Sequence, residues 1–390
     1  MKVPFARVFC DGNEQKYVRE VLESGWLTTA AKTFEFEKRF AEVVQAKHAC
    51  AVNSCTAALH LALEAIGVGP GDRVIVPTMT FTATAEVIRY LGADPAFVDV
   101  EYGTCLVTPE LLEQAIARTP GVKAAMVVHF GGQAASMLSD GQGMGLLEVC
   151  RKHGLKLVED AAHAFPTRLG GQLVGSFGDA TCFSFYANKT ITTAEGGMLV
   201  TDDEDLFERA RVMRLHGMNR DAWDRFTSRT AKWEYDVVAP GFKYNLPDIL
   251  AALGLAQLES AEDLRRARQR CAAFYYEHLR DVEALDLPVC HGSPDDHSWH
   301  LFCIVLNDKS PVDRDRFIEL MNAAGIGTSV HYKPLHRMSY YQERYGLQPD
   351  DFPNAERHWR GTVSLPIYPS MTPDELEYVC ATVRHILRSG

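Results

Sequence analysis

The chain has 390 residues, 46% of them hydrophobic and 23% charged, which is the composition of a globular protein too long for one small core. Its formal net charge of -11 argues against a surface that coats nucleic acid, because phosphate binding needs clustered Lys and Arg. Ten cysteines without Cys-x-x-Cys spacing and 14 dispersed histidines read as reduced thiols and scattered imidazoles, with neither a disulfide framework nor a metal site expected.

Along the chain, the N-terminal stretch MKVPFARVFC lacks the apolar core of a secretory signal, and no uncharged run is long enough to span a bilayer. The expected location is the cytoplasm, with no membrane partner. From residue 49 onward, short apolar runs alternate with helical patterns. ACAVN (49–53) leads into CTAALHLALEAIG, RVIVPTMT (73–80) into TATAEVIRYLG, and PAFVDV (95–100) into TPELLEQAIA. AAMVVHF (124–130), LKLVED (155–160), ATCFSFY (180–186) and GGMLVTDD (196–203) bring the candidate strands to seven. Continuous apolar runs separated by amphipathic helices predict a mostly parallel sheet covered on both faces. The fold class is α/β: a large domain with a seven-stranded, mostly parallel sheet between helices, plus a smaller C-terminal α+β domain.

A single long helical pattern over 246–280, without an interior proline, reads as the connector between the two. The remainder offers three strands (SWHLFCIVLND, GIGTSVHY, TVSLPIY) and two helices (DRDRFIELMNAAG, TPDELEYVCATVRHILRS). The expected division is 1–260 for the large domain and 261–390 for the small one.

Ligands of open parallel sheets collect at the carboxyl ends of the strands, and four such ends here carry informative groups. After ACAVN come Ser54, Cys55 and Thr56, at a helix start where bare amides suit a phosphate and where Ser or Thr equally serves as an ordinary cap. LKLVED ends in Glu159-Asp160, and an acid there needs a cationic partner or serves as a cap itself. Phe81, beyond RVIVPTMT, is a core aromatic or a stacking surface for a planar ring. In FSFYANKTITTAEGG (183–197) an apolar strand breaks off at Lys189. A lysine there is either a surface residue or a desolvated amine able to form a Schiff base, with the Ser184 hydroxyl five residues earlier.

Phosphate anchor, stacking aromatic, ring carboxylate and reactive lysine are together the requirements of pyridoxal 5'-phosphate. VEDAAHA followed by SFYANKTITTAEGG, with Lys189 placed 29 residues after Asp160, resembles the fold-type I pyridoxal-phosphate enzymes, and more narrowly the DegT/StrS family of nucleotide-sugar aminotransferases. ESGWLTT, FEKRFAE, NSCTAALHLAL, GPGDRVIVPTMTFTATA, GFKYNLPDILAALG and VHYKPLH extend the resemblance over nearly the whole chain. It departs where Cys55 and Ala30 replace the usual glycines, and in GGQAASMLSDGQGMG (131–145).

The resemblance implies that Lys189 holds the cofactor covalently and moves protons, while Asp160 keeps the pyridine nitrogen protonated. It implies that His163 contacts the phenolic oxygen, that Phe81 stacks on the ring, and that Cys55, Thr56 and Ser184 bind the phosphate. Asn245 would reach the phosphate of the neighbouring subunit in a homodimer with shared active sites, and His331 would lie near the substrate. The implied reaction moves an amino group from an amino acid, L-glutamate by preference, to C4 of a nucleotide-linked keto-sugar. An enzyme of a cyclitol or aromatic ring, and a non-catalytic cofactor-binding regulator, are the alternatives. A sugar 3-dehydratase is disfavoured because that branch carries histidine where Lys189 stands.

Overall fold

A computed structural model describes residues 1–10, 12–139, 143–219 and 235–389; within the departing stretch 131–145, residues 140–142 lie outside the described residues. Two helices, α1 (Glu14–Ser24) and α2 (Ala31–Val44), precede the first strand, β1 (His48–Val52). Then follow α3 (Cys55–Ala65), β2 (Arg73–Pro77), α4 (Ala83–Tyr90), β3 (Asp94–Val98), α5 (Pro109–Arg118), β4 (Val122–Val128), α6 (Leu146–Lys152) and β5 (Lys156–Asp160). A small hairpin of β6 (Arg168–Leu169) and β7 (Gln172–Leu173) leads to β8 (Ala180–Ser184), β9 (Gly197–Thr201) and α7 (Glu204–Met213). Local chemistry marks these starts. Ser54, Thr108 and Asp203 each accept a backbone N–H in the first turn of α3, α5 and α7, and Pro109 opens α5 where no amide hydrogen is needed.

The seven strands form one sheet in the order β1-β9-β8-β5-β4-β2-β3. Only β9 runs against its neighbours, pairing antiparallel with both β1 and β8. The alternation of side chains sorts the strands onto two cores. Ala125, Val127, Leu157, Phe183 and Met198 pack with α2, α5 and α6, and Ala124, Met126, Val158, Cys182 and Leu199 pack with α3, α4 and α7. All seven predicted strands are present, each within a few residues of its expected place.

Two expectations change. The helical pattern over 246–280 is two helices, α8 (Asp248–Glu259) and α9 (Ala261–Leu279), separated at Ser260 with φ −102° and ψ 2°. Ala251 and Leu255 of α8, with Ala261 and Leu264 in the first turn of α9, belong to the large core, whereas Cys271, Ala272 and Tyr275 further along α9 belong to a third core. A helical period is blind to this, because each piece is helical and only its burial partner changes. GIGTSVHY forms no strand; it contributes isolated bridges, Ile326 to Val3 and Ser329 to Ser364. The third core lies on a three-stranded antiparallel sheet of β10 (Leu285–Asp286), β11 (Phe302–Leu306) and β12 (Thr362–Leu365). It is covered by α10 (Arg314–Ala323) and α13 (Pro373–Ser389), with α11 (Ser339–Tyr345) and α12 (Pro353–Gly361) lying between β11 and β12 in sequence. Among the described residues, no helix is long and apolar enough to cross a membrane, and no cluster of three or more His, Cys, Asp or Glu side chains is arranged to hold a metal.

Candidate active site

A cavity of about 470 Å³ opens at the carboxyl ends of β1, β2, β5 and β8. Its floor is the end of β5, where two adjacent acids meet different fates because successive side chains point to opposite faces. Glu159 is fully buried beneath the sheet and satisfied there by His129 Nε2 at 2.9 Å, the Gly178 amide at 2.7 Å and the Thr181 hydroxyl at 2.7 Å. Asp160 faces the cavity. Its carboxylate accepts only the Thr84 hydroxyl (2.8 Å) and the Ala162 amide (3.1 Å), and no cation lies within ion-pair distance of it among the described residues. Burial pushes this carboxyl above its ordinary range, against the opposing pull of those two donors and of Lys189.

One wall is the start of α3. Ser54 spends its hydroxyl on the Ala57 amide (3.1 Å), which leaves the amides of Cys55 and Thr56 at the open end of the helix. The Cys55 thiol is turned into the sheet, 3.6 Å from the Cys182 carbonyl. Strand β9 passes so close that a Cβ on Gly197 would stand 2.6 Å from the Cys55 nitrogen. Ala30, the other position where glycine was expected, precedes α2 at φ −162° and ψ −134°, its amide donating to the Asp248 carboxylate at 2.7 Å.

The opposite wall is the loop after β8. Phe185 closes it at both ends, its amide reaching the Gly196 carbonyl and its carbonyl accepting the Thr193 amide, each at 2.9 Å. Lys189 hangs from this closed loop with Nζ 3.3 Å from His300 Nε2. Burial strips water from its ammonium and lowers its pKa to about 8, with Cys55 and Asp160 opposing the shift and Arg268 adding to it.

Three buried histidines complete the enclosure, all held neutral by the same loss of water and by the nearby Lys189. His163 Nδ1 accepts the Gly131 amide at 3.2 Å, so its proton sits on Nε2, which donates to the Tyr332 hydroxyl at 3.0 Å. His331 Nδ1 lies 2.7 Å from the Ser364 hydroxyl. The rings of His163 and His300 are 4.5 Å apart.

Cys55, Thr56, Phe81, Asp160, His163, Ser184, Lys189 and His331, all singled out from the sequence, line this one cavity. Asn245 does not; its amide donates to the Thr29 hydroxyl at 2.7 Å, and its oxygen accepts from Lys243. Sequence reasoning passed over His300, Tyr332 and Thr84. Tyr332 was within reach, standing beside His331 in VHYKPLH. His300 lies 111 residues from Lys189 and carried no local signal.

These groups fit pyridoxal 5'-phosphate. A buried carboxylate lacking a cation suits a protonated ring nitrogen, open helix amides suit a phosphate, and a desolvated amine suits an aldehyde. The comparisons with known proteins agree with that fit. The profile of the DegT/DnrJ/EryC1/StrS aminotransferase family matches residues 9–384. The chain is 45% identical over 390 residues to the spore coat polysaccharide biosynthesis protein SpsC of Bacillus subtilis, covering 100% of this chain and 98% of that one. It superposes on the putative sugar aminotransferase Spr1654 of Streptococcus pneumoniae in its PMP form with a TM-score of 0.90 and 32% identity, covering 100% and 98% of the two chains. It superposes likewise on DesI, solved in the presence of its TDP-sugar product, with a TM-score of 0.83 and 29% identity, covering 97% and 90%.

Proposed function

The chain belongs to the DegT/DnrJ/EryC1/StrS aminotransferase family, and on that premise we propose that it transfers an amino group from L-glutamate to C4 of a nucleotide-linked keto-sugar. Its cofactor is pyridoxal 5'-phosphate, as befits the family and the PLP and PMP forms of its structural neighbour. The observation that carries the reading is the placement of a desolvated amine, Lys189, and an uncompensated carboxylate, Asp160, in one cavity. The sugar is supported by the putative sugar aminotransferase Spr1654, and the nucleotide by the TDP-sugar product of DesI. Glutamate and C4 rest on the sequence resemblance.

When bound, the cofactor supplies a carbonyl carbon that carries the amino group and a ring that disperses the electrons of a deprotonated substrate carbon. The rest falls to the protein. Asp160 holds the ring nitrogen's proton, and the Thr84 hydroxyl and Ala162 amide fix the angle of its carboxylate. The amides of Cys55 and Thr56, with the Thr56 and Ser184 hydroxyls, hold the phosphate at the start of α3, where the helix dipole favours an anion. Phe81 covers the ring. His163, its tautomer set by Gly131, faces the ring's phenolic oxygen together with Tyr332. Lys189 Nζ, half deprotonated near pH 8, takes and returns the proton at the substrate carbon. His331 contacts the substrate. Asn245, absent from the cavity of its own chain, completes the phosphate site of a second copy, so the working unit is a homodimer.

The test is a panel of keto-sugar nucleotides offered with L-glutamate and read by mass spectrometry. The expected product is a 4-amino-6-deoxy sugar nucleotide, formed with ping-pong kinetics because one cofactor serves two substrates in turn. The reading fails if glutamate converts the cofactor to its amine form and only a free cyclitol or aromatic precursor reverses that change.

A further inference from the structure

Arg268, in the second turn of α9, is the buried cation that this scheme leaves without a role. It is 3% exposed, and no carboxylate lies within ion-pair distance of it among the described residues. Its partners are carbonyls. Nη1 donates to Ile367 at 2.9 Å and to His300 at 3.4 Å, Nη2 donates to Asn188 at 3.5 Å, and Nε is buried without a partner. Asn188 immediately precedes Lys189, and the His300 ring touches the Lys189 amine. A guanidinium stripped of water without a counter-charge is costly, and three carbonyl dipoles offset only part of that cost. Its location gives the cost a use. We propose that Arg268 is a positioning residue for Lys189, tying the Asn188 and His300 backbones on either side of the amine while its uncompensated charge repels a proton from that amine.

The inference rests on reading Lys189 as the amine that captures the cofactor. Around that amine, Asp160 favours its charged form and Arg268 disfavours it, while the Cys55 thiol, raised well above its ordinary value by burial, and His163, His300 and His331 are neutral and supply no competing charge at neutral pH. Removing the guanidinium therefore leaves the ammonium less opposed, and its titration moves upward. The neutral amine is the nucleophile, so capture of the cofactor at a fixed pH near neutrality must slow.

The experiment measures the rate at which cofactor-free full-length protein captures pyridoxal 5'-phosphate, followed by visible absorbance from pH 6.5 to pH 10. It compares wild type with Arg268→Met and Arg268→Gln, each checked for its fold by circular dichroism. Wild type is expected to show a midpoint near pH 8. Both neutral variants are expected to shift upward by about half a pH unit, slowing capture at pH 7.5 about threefold. Arg268→Gln keeps a donor toward the carbonyls, so it carries the test if Arg268→Met does not fold. A midpoint unchanged in the variants, even with slower capture at every pH, overturns the proposal and leaves Arg268 a purely structural tie. Borohydride reduction and peptide mapping keep the two readings apart. A label absent from the Lys189 peptide overturns the cofactor assignment, and the Arg268 proposal with it.

Discussion

Lys189 and Asp160 meet the same cavity with opposite charges, and burial pushes each toward neutrality. For the lysine this has a consequence in stability. Its folded pKa is about 8 against an ordinary 10.5. Below pH 8 both folded and unfolded chains carry the proton, and the folded one bears the cost of a desolvated ammonium. Between pH 8 and pH 10.5 the unfolded chain binds more protons, so stability rises with pH. Cofactor-free Lys189→Met is therefore expected to be more stable than cofactor-free wild type at pH 7, by at most about 3 kcal/mol, less whatever solvent still reaches the amine. Denaturant unfolding at pH 7 and pH 10.5 checks this, and a gain of equal size at both values refutes it. In the loaded enzyme the same position is expected to be indispensable. Lys189→Ala should lose turnover by at least about a thousandfold while still binding the cofactor without a covalent bond. Lys189, Asp160 and Phe81 were legible as chemistry because each interrupts an apolar strand or its end. His300 and Arg268 were not, since each lies in an ordinary helical or strand context and gains meaning only beside Lys189.

At the scale of elements, the site is a set of strand ends and one helix start, and its tolerance is set by how closely they approach. The carboxyl end of β1 turns straight into α3, and β9 runs beneath that turn with no room for a side chain. A Cβ on Gly197 would lie 2.5 Å from the Ser54 carbonyl carbon and 2.6 Å from the Cys55 nitrogen. Both are backbone atoms of the proposed phosphate cradle, so Gly197→Ala must displace the helix start. Affinity for pyridoxal 5'-phosphate is expected to fall by at least about tenfold, while Gly69→Ala, with nothing within 4 Å, leaves it unchanged. Fluorescence titration of the two variants separates them, and equal affinities would show that the cradle yields. The strands themselves were legible because both faces are buried and their apolar runs are continuous. The break at Ser260 was not, because one helical period runs on across it and the covering core changes only beyond Leu264.

For the whole molecule, we propose that the domains 1–260 and 261–390 part at that break, and that two copies assemble around shared sites. Val3 already reaches from the first residues into the third core. Phe81 and Tyr186 stand 57% and 48% exposed at the cavity, and Val237 and Val238 lie exposed close to Asn245 in sequence. A second chain is the natural cover for such surface, because obligate interfaces are large and apolar. Mixed subunits test the assembly. Lys189→Ala and Asn245→Ala are each expected to be inactive or nearly so. Refolded together in equal amounts, they should recover about a quarter of wild-type activity, since half the dimers are mixed and each of those holds one intact site. No recovery, with a dimer confirmed by light scattering, would mean that Asn245 acts within its own chain.

The seven strands, the two-faced cover of helices, and the pairing of Asp160 with Lys189 twenty-nine residues later were already written in the linear chain. Each depends on local burial pattern and on motif spacing, which survive without knowledge of the fold. What the tertiary structure alone decided is what occupies the neighbouring acid and what surrounds the lysine. Glu159 is consumed by His129, Gly178 and Thr181 beneath the sheet, while Asp160 is left facing the cavity with two neutral donors. Likewise His300 and Arg268 arrive beside Lys189 from a distant part of the chain. An amine's ionisation is set by every charge and every missing water around it, and those come from residues that only folding brings together.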